Sequence, residues 1–161
     1  MARSKLAAGA VAGLAGGLVF GVMMQMMSAP TPQGEKMPMM AMVAMVVHSN
    51  RMLVGWVYHL FNSAIIGGLF GLVLGDRVHS TAGGLGLGAA WGVVWWILGA
   101  LILMPILLGM PAFAPLQMPP MRPVAMGSLI GHLIFGLITG FVFVRVRGPL
   151  PSDAELRPRV A

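Results

Sequence analysis

No aspartate, glutamate, lysine or arginine occurs between Lys5 and Glu35, between Arg51 and Asp76, between Arg77 and Arg122, or between Arg122 and Arg145. Each stretch is apolar and long enough to cross a bilayer core, which takes about 20 helical residues. Only 9% of the 161 residues are charged, against about 25% in an ordinary soluble domain. The chain therefore has too little polar surface to face water. The spans fall near Leu6–Met27, Met52–Gly75, Gly83–Ile106 and Val124–Val146. Lipid admits only helices or closed barrels, because backbone groups must be satisfied internally. The runs are continuously apolar rather than alternating, which predicts helices. The expected fold is an all-α integral membrane protein, a bundle of four transmembrane helices in one membrane domain, residues 1–147. The proline-broken polar tail, residues 148–161, is expected to be a disordered cytoplasmic end.

The first run starts MARSK and reaches a small-residue site near Ser28-Ala29-Pro30. A secretory core is about 7–15 residues long; this run is longer and crowded with glycine, so it reads as a span. Orientation follows from lysine and arginine. With four spans both termini share a side. Arg3, Lys5, Arg77, Arg145, Arg147, Arg157 and Arg159 fall there, and Lys36, Arg51 and Arg122 fall opposite. The termini are thus expected to be cytoplasmic, and the loops at about 28–51 and 107–123 to face outward, in a multi-pass inner (plasma) membrane protein. The net charge of +6 matches this rule and contact with anionic lipid, and implies no nucleic acid. No cysteine is present, which removes disulfides and thiolate metal sites.

A phrase recurs across the chain. Residues 37–45 read MPMMAMVAM and residues 118–126 read MPPMRPVAM, identical at six of nine positions. The helices that follow carry HLFNSAIIGGLF (59–70) and HLIFGLITGFVF (132–143). The helices before them carry glycine every fourth residue, at Gly9, Gly13, Gly17 and Gly21, and at Gly84, Gly88 and Gly92. The pattern predicts a tandem duplication of a two-helix hairpin, repeat 1 at about 6–75 and repeat 2 at about 83–146. Two hairpins of one orientation form a parallel repeat. Small-xxx-small stripes let helix backbones approach in lipid, so Gly13, Gly17, Gly21, Gly67, Gly84, Gly88, Gly92, Gly136 and Gly140 are assigned to helix packing.

His59 and His132 stand on those packing stripes, on the order of 10 Å inside the outer boundary by helical rise. Polar groups at such depth are costly and mark function. The plain reading is a hydrogen bond to a neighbouring helix; the functional one is a pair sharing a metal or bracketing a haem. All of the 16 methionines except Met1 fall at 23–52 or 104–126, the outward half. Thioether sulfur suits Cu(I) and Ag(I). Met37, Met39, Met40, Met42, Met45, Met118, Met121 and Met126, with His48, are therefore candidate soft-metal ligands; the plain reading is flexible apolar filler. Pro105, Pro111 and Pro115 should end or kink the third helix, and Ala41–Asn50 should form either a short interfacial helix before the second span or a tilted extension of it.

The phrases GHLIFGLITGFVF and YHLFNSAIIGGLFGLVLG, with the glycine-ladder first helix, resemble small bacterial inner-membrane proteins of the YagU-like kind. The resemblance implies architecture and no activity. No phosphate loop, zinc-protease motif, nucleophile–base set or paired carboxylate is found, so an enzyme is not expected. The leading expectation is a structural, accessory or stress-related membrane protein. Its partners are the bilayer and a second copy or another membrane protein. No cofactor is expected; soft-metal binding or transport, and bis-histidine haem binding, are the alternatives.

Overall fold

The computed structural model describes residues 4–30 and 35–147; the expected cytoplasmic tail lies outside them. Helix α1 (Lys5–Met26) is followed by two short antiparallel strands, β1 (Ser28–Pro30) and β2 (Lys36–Pro38), and by α2 (Met39–Met45). The strands pair Ala29 with Met37, and the Met39 amide extends the ladder to the Met27 carbonyl at 2.9 Å. Helix α3 (Met52–Leu74) returns, a tight 3-10 turn at Gly75–Arg77 reverses the chain, and α4 (Thr81–Trp95) begins the third long helix. That helix continues as a π-helical segment, Trp96–Leu103, and α5 (Met104–Leu107). Then come α6 (Ala114–Gln117), a 3-10 turn at Pro119–Met121 and α7 (Arg122–Arg147). Four helices are long and apolar enough to cross a membrane, as the charge gaps predict.

Helix starts follow elementary capping. Ser4 Oγ accepts from the Ala7 amide at 3.1 Å and Ser80 Oγ from the Gly83 amide at 3.1 Å, each satisfying a donor that the first helical turn leaves free. Arg145 and Arg147 occupy the last turn of α7, where a cation complements the helix dipole.

Glycine decides which helices touch. The long helices lie in the order α3, α1, α7, α4, with α1 and α7 central. A Cβ added at Gly9 would strike the Gly67 carbonyl, and one at Gly13 would strike the Ser63 carbonyl. In the second hairpin a Cβ at Gly84 would strike the Gly140 carbonyl, one at Gly88 the Gly136 carbonyl, and one at Gly92 the His132 carbonyl. The two glycine seams thus have matching partners. A second small stripe on α1, Ala8, Ala12 and Gly16 followed by Phe20, is buried and turns to α7. There Gly16 abuts the Phe135 carbonyl and Thr139, and the Phe20 ring fills the space over Gly131. Two adjacent small faces let α1 serve both neighbours at once.

The prolines of the third long helix are expected to end or kink it. Pro105 does not end it; the helix runs through to Leu107. Proline has no N–H to give the carbonyl four residues back and crowds it. The helix widens locally to the π form, with the Met104 amide bonding the Gly99 carbonyl. The freed Leu101 carbonyl accepts instead from the Phe113 amide at 2.6 Å. This bond folds residues 108–118 back over the helix, through Gly109 at φ +77°, a left-handed turn that glycine adopts without cost.

Candidate functional site

Helices α3 and α4 are joined by a short turn, yet they pack against each other far less than α1 packs with α3 or α7 with α4. One indole bond joins α3 to the third helix here, and a second joins the third helix to α7. Trp91 Nε1 donates to the Ile66 carbonyl at 3.2 Å, and Trp96 Nε1 donates to the Ala125 carbonyl at 3.1 Å. Beyond Trp91, towards the methionine loops, the two helices flank a half-open cavity of about 220 Å³. Its walls come from α1 (Phe20, Met24), α2 (Met39, Met42), α3 (Tyr58, His59, Asn62), the third helix (Trp95, Gly99, Ala100, Met104) and α7 (Ser128, His132, Phe135). Met110, Pro115 and Met121 close it from the second loop.

Each polar group is fixed by its own stretch of helix. His59 Nε2 lies 2.8 Å from the Gly17 carbonyl. A carbonyl only accepts, so that nitrogen carries the proton and Nδ1 keeps a lone pair. The bond crosses from α3 to α1 and needs Gly17, since a side chain there would collide with Ser63. His132 differs: its Nδ1 lies 2.8 Å from the Ser128 carbonyl of its own helix, which leaves Nε2 as the acceptor. The plain reading, a bond to a neighbouring helix, thus holds for His59 and not for His132. Ser128 Oγ lies 3.3 Å from the same Nδ1; because that proton already points at a carbonyl, the hydroxyl has no base to activate it. Ser63 Oγ donates to the His59 carbonyl at 2.8 Å, and Asn62 Nδ2 to the Tyr58 carbonyl at 2.9 Å.

The two imidazoles line one cavity, but an aromatic ring mediates between them. Phe20 packs edge-on against His59 with centroids 5.7 Å apart and against His132 with centroids 4.7 Å apart. For a haem to be bracketed by the pair, Phe20 would have to leave and His59 would have to release Gly17.

The methionines divide into groups. Met39, Met42 and Met121, from loops about 80 residues apart in the chain, meet at the cavity. Met37 packs against the same apolar cluster, and Met40 is wholly buried within it. Met45, Met118 and Met126 are exposed, and His48 sits at φ +56° beside a separate shallow depression with Met45, Ser49 and Asn50. Five residues that sequence reasoning did not nominate, Phe20, Met24, Trp95, Met104 and Met110, belong to the cavity. Met24 and Phe20 share a face at i, i+4, the one signal that would have found them. Among the described residues, Trp95 Nε1 and Thr139 Oγ1 are buried with no hydrogen-bond partner, and no three His, Asp or Glu side chains cluster.

At the opposite end the ion pairs gather. Lys5 and Arg147 both reach Asp76, and Arg147 also donates to the Gly75 carbonyl. This ties the start of α1 and the end of α7 to the α3–α4 turn. Comparison with known proteins returned no matching family model, no matching curated protein and no matching solved structure.

Proposed function

We propose that this chain is a non-enzymatic accessory protein of the inner membrane that holds a lipid-soluble ligand between its two hairpins. The observation that carries the reading is the 220 Å³ cavity between α3 and the third helix. A packed interior rarely leaves a void larger than a water molecule, and an apolar cavity of about 150 Å³ already binds benzene. A pocket lined by apolar and aromatic side chains with a few converging polar groups is the usual form of a small-molecule site. The poor packing of α3 on α4 leaves the way in on the bilayer side.

The matching glycine seams support descent from a duplicated hairpin, within a kinship to the YagU-like proteins carried by the His-Leu and spaced-glycine pattern. In that reading the cavity occupies the place where the α1–α7 contact has no counterpart between α3 and α4. Collection of Lys5, Arg77, Arg145 and Arg147 at one end supports cytoplasmic termini by the positive-inside rule, with the methionine loops facing out.

Filling the cavity tests the proposal. Solvent extraction and mass spectrometry of purified wild type should yield a stoichiometric lipid-soluble molecule. Ala100→Phe, on the cavity wall, should keep the fold and lose that molecule. Equal yield from both proteins would refute the reading.

A second reading rests on a separate observation. Met24, Met39, Met42, Met104, Met110 and Met121 surround the same cavity as His59 and His132, a set whose softness suits Cu(I) or Ag(I). Anaerobic Ag(I) uptake should then fall when Met39, Met42 and Met121 are changed together to Leu, and unchanged uptake would dismiss it.

A further inference from the structure

We infer that the ligand is a neutral, ring-bearing molecule with hydroxyl donors, of the phenol or hydroquinone class. The inference rests on the reading of the cavity as a site for lipid-soluble ligands and adds its chemistry.

The free hydrogen-bonding valences of the wall decide the class. His59 and His132 each spend their one N–H on a backbone carbonyl. Each therefore presents a bare ring nitrogen, Nδ1 in His59 and Nε2 in His132, with no partner among the described residues. The Ser63 hydroxyl is spent on the His59 carbonyl, and the Asn62 amide donates to Tyr58, leaving Oδ1 as an acceptor. The residues that carry these acceptors, on α3 and α7, line one space. Trp95, on the same wall, adds a buried Nε1 donor without a partner among the described residues. The complement is therefore a ligand that donates and also accepts; a hydroquinone carries two hydroxyls, each able to do both, on opposite sides of one ring. Among the described residues no Asp, Glu, Lys or Arg lines the cavity, so a charged ligand would enter without a counter-charge from them and at high desolvation cost.

Size and surface agree. The volume of about 220 Å³ exceeds what a single benzene needs and suits a substituted ring. Methionine thioethers from four parts of the chain, with Phe20 and Phe135, contribute to the wall. Sulfur makes favourable contacts with aromatic rings and adapts to their outline. A metal ion, by contrast, needs its ligands drawn together to about 2.3 Å, not held around an open volume.

The test uses the full chain in lipid nanodiscs under anaerobic conditions, with tryptophan fluorescence as the signal. The probes are decylhydroquinone and its dimethyl ether, which has the same ring and tail but no donor. The hydroquinone should bind about tenfold more tightly, as expected for two neutral hydrogen bonds. His132→Phe leaves the α1–α3 bond untouched and should remove about half of that preference on a logarithmic scale. The double variant with His59→Leu, checked for fold by circular dichroism, should remove the rest. Equal affinity for the two probes would overturn the donor assignment and leave a plain apolar ring site. No saturable binding of either probe would overturn it as well; a stoichiometric lipid-soluble molecule extracted from the wild type would then preserve the broader reading.

Discussion

Two glycines of α4, two residues apart, should respond oppositely to the same substitution. A Cβ at Gly88 would meet the Gly136 carbonyl and the Gly140 Cα, both backbone, whereas a Cβ at Gly86 meets nothing within 4 Å. Backbone cannot rotate aside, so Gly88→Ala has to push α4 from α7 or distort one of them. Overpacking of this kind costs about 1–3 kcal/mol. Both variants share the same helix-propensity gain of up to about 1 kcal/mol from replacing glycine with alanine. That gain cancels in the comparison, so Gly88→Ala should be less stable than Gly86→Ala by about 1–3 kcal/mol. Equilibrium unfolding by sodium dodecyl sulfate in mixed micelles, followed by circular dichroism, measures the difference. Equal stability of the two variants would refute the claim that backbone contact at the glycine seam holds the second hairpin together.

Other consequences are as direct. Phe20→Ala removes a ring that is 5% exposed and touches both histidines; it should cost about 3–5 kcal/mol on the scale of buried aromatic truncations by the same unfolding assay. His59→Leu breaks the hydrogen bond joining α3 to α1 and should cost about 0.6–1.5 kcal/mol. His132→Leu breaks only a bond within its own helix, so it should cost less, and the reverse order would contradict the assigned partners. Pro105→Ala restores an N–H that competes with Phe113 for the Leu101 carbonyl; amide exchange at Phe113 should accelerate, while unchanged protection would mean the proline does not create that bond. Lys5→Met removes one partner of an exposed ion pair and should change stability by less than about 1 kcal/mol.

The spans were legible because membrane burial writes itself as long gaps between charges, a signal that needs no tertiary knowledge. The first glycine seam was legible for a similar reason, since Gly9, Gly13, Gly17 and Gly21 repeat at helical spacing. The neighbouring stripe of Ala8, Ala12 and Gly16 was equally visible in spacing but is less distinctive among so many small residues. It went unread, and with it the central position of α1. Pro105 predicts an end or a kink, because proline removes a donor; the donor that replaces it comes from Phe113, eight residues on, which spacing cannot reveal. His59 and His132 were singled out by polarity, and both line the cavity. Met39, Met42 and Met121 were singled out by sulfur chemistry, and they too reach it, whereas Met45, Met118 and Met126 face outward. Which methionines turn inward depends on how α2 and the second loop lie over the bundle. Trp95 and Met104 were out of reach for the same reason, since their role follows from a helix pair that fails to pack.

The absence of cysteine and the wealth of methionine suggest the decisive measurement. Methyl-labelled methionine gives separate nuclear magnetic resonance signals for cavity and core in lipid nanodiscs. A doxyl-labelled fatty acid dissolved in the bilayer broadens whatever it can approach. Met104 and Met42 line the cavity, while Met40 is wholly buried in packed core. The account predicts strong broadening of the Met104 and Met42 methyls, a sharp Met40 signal, and loss of the broadening in Ala100→Phe. Met104 and Met42 signals as sharp as that of Met40 would mean that lipid-soluble molecules do not reach this space, and would contradict the central claim.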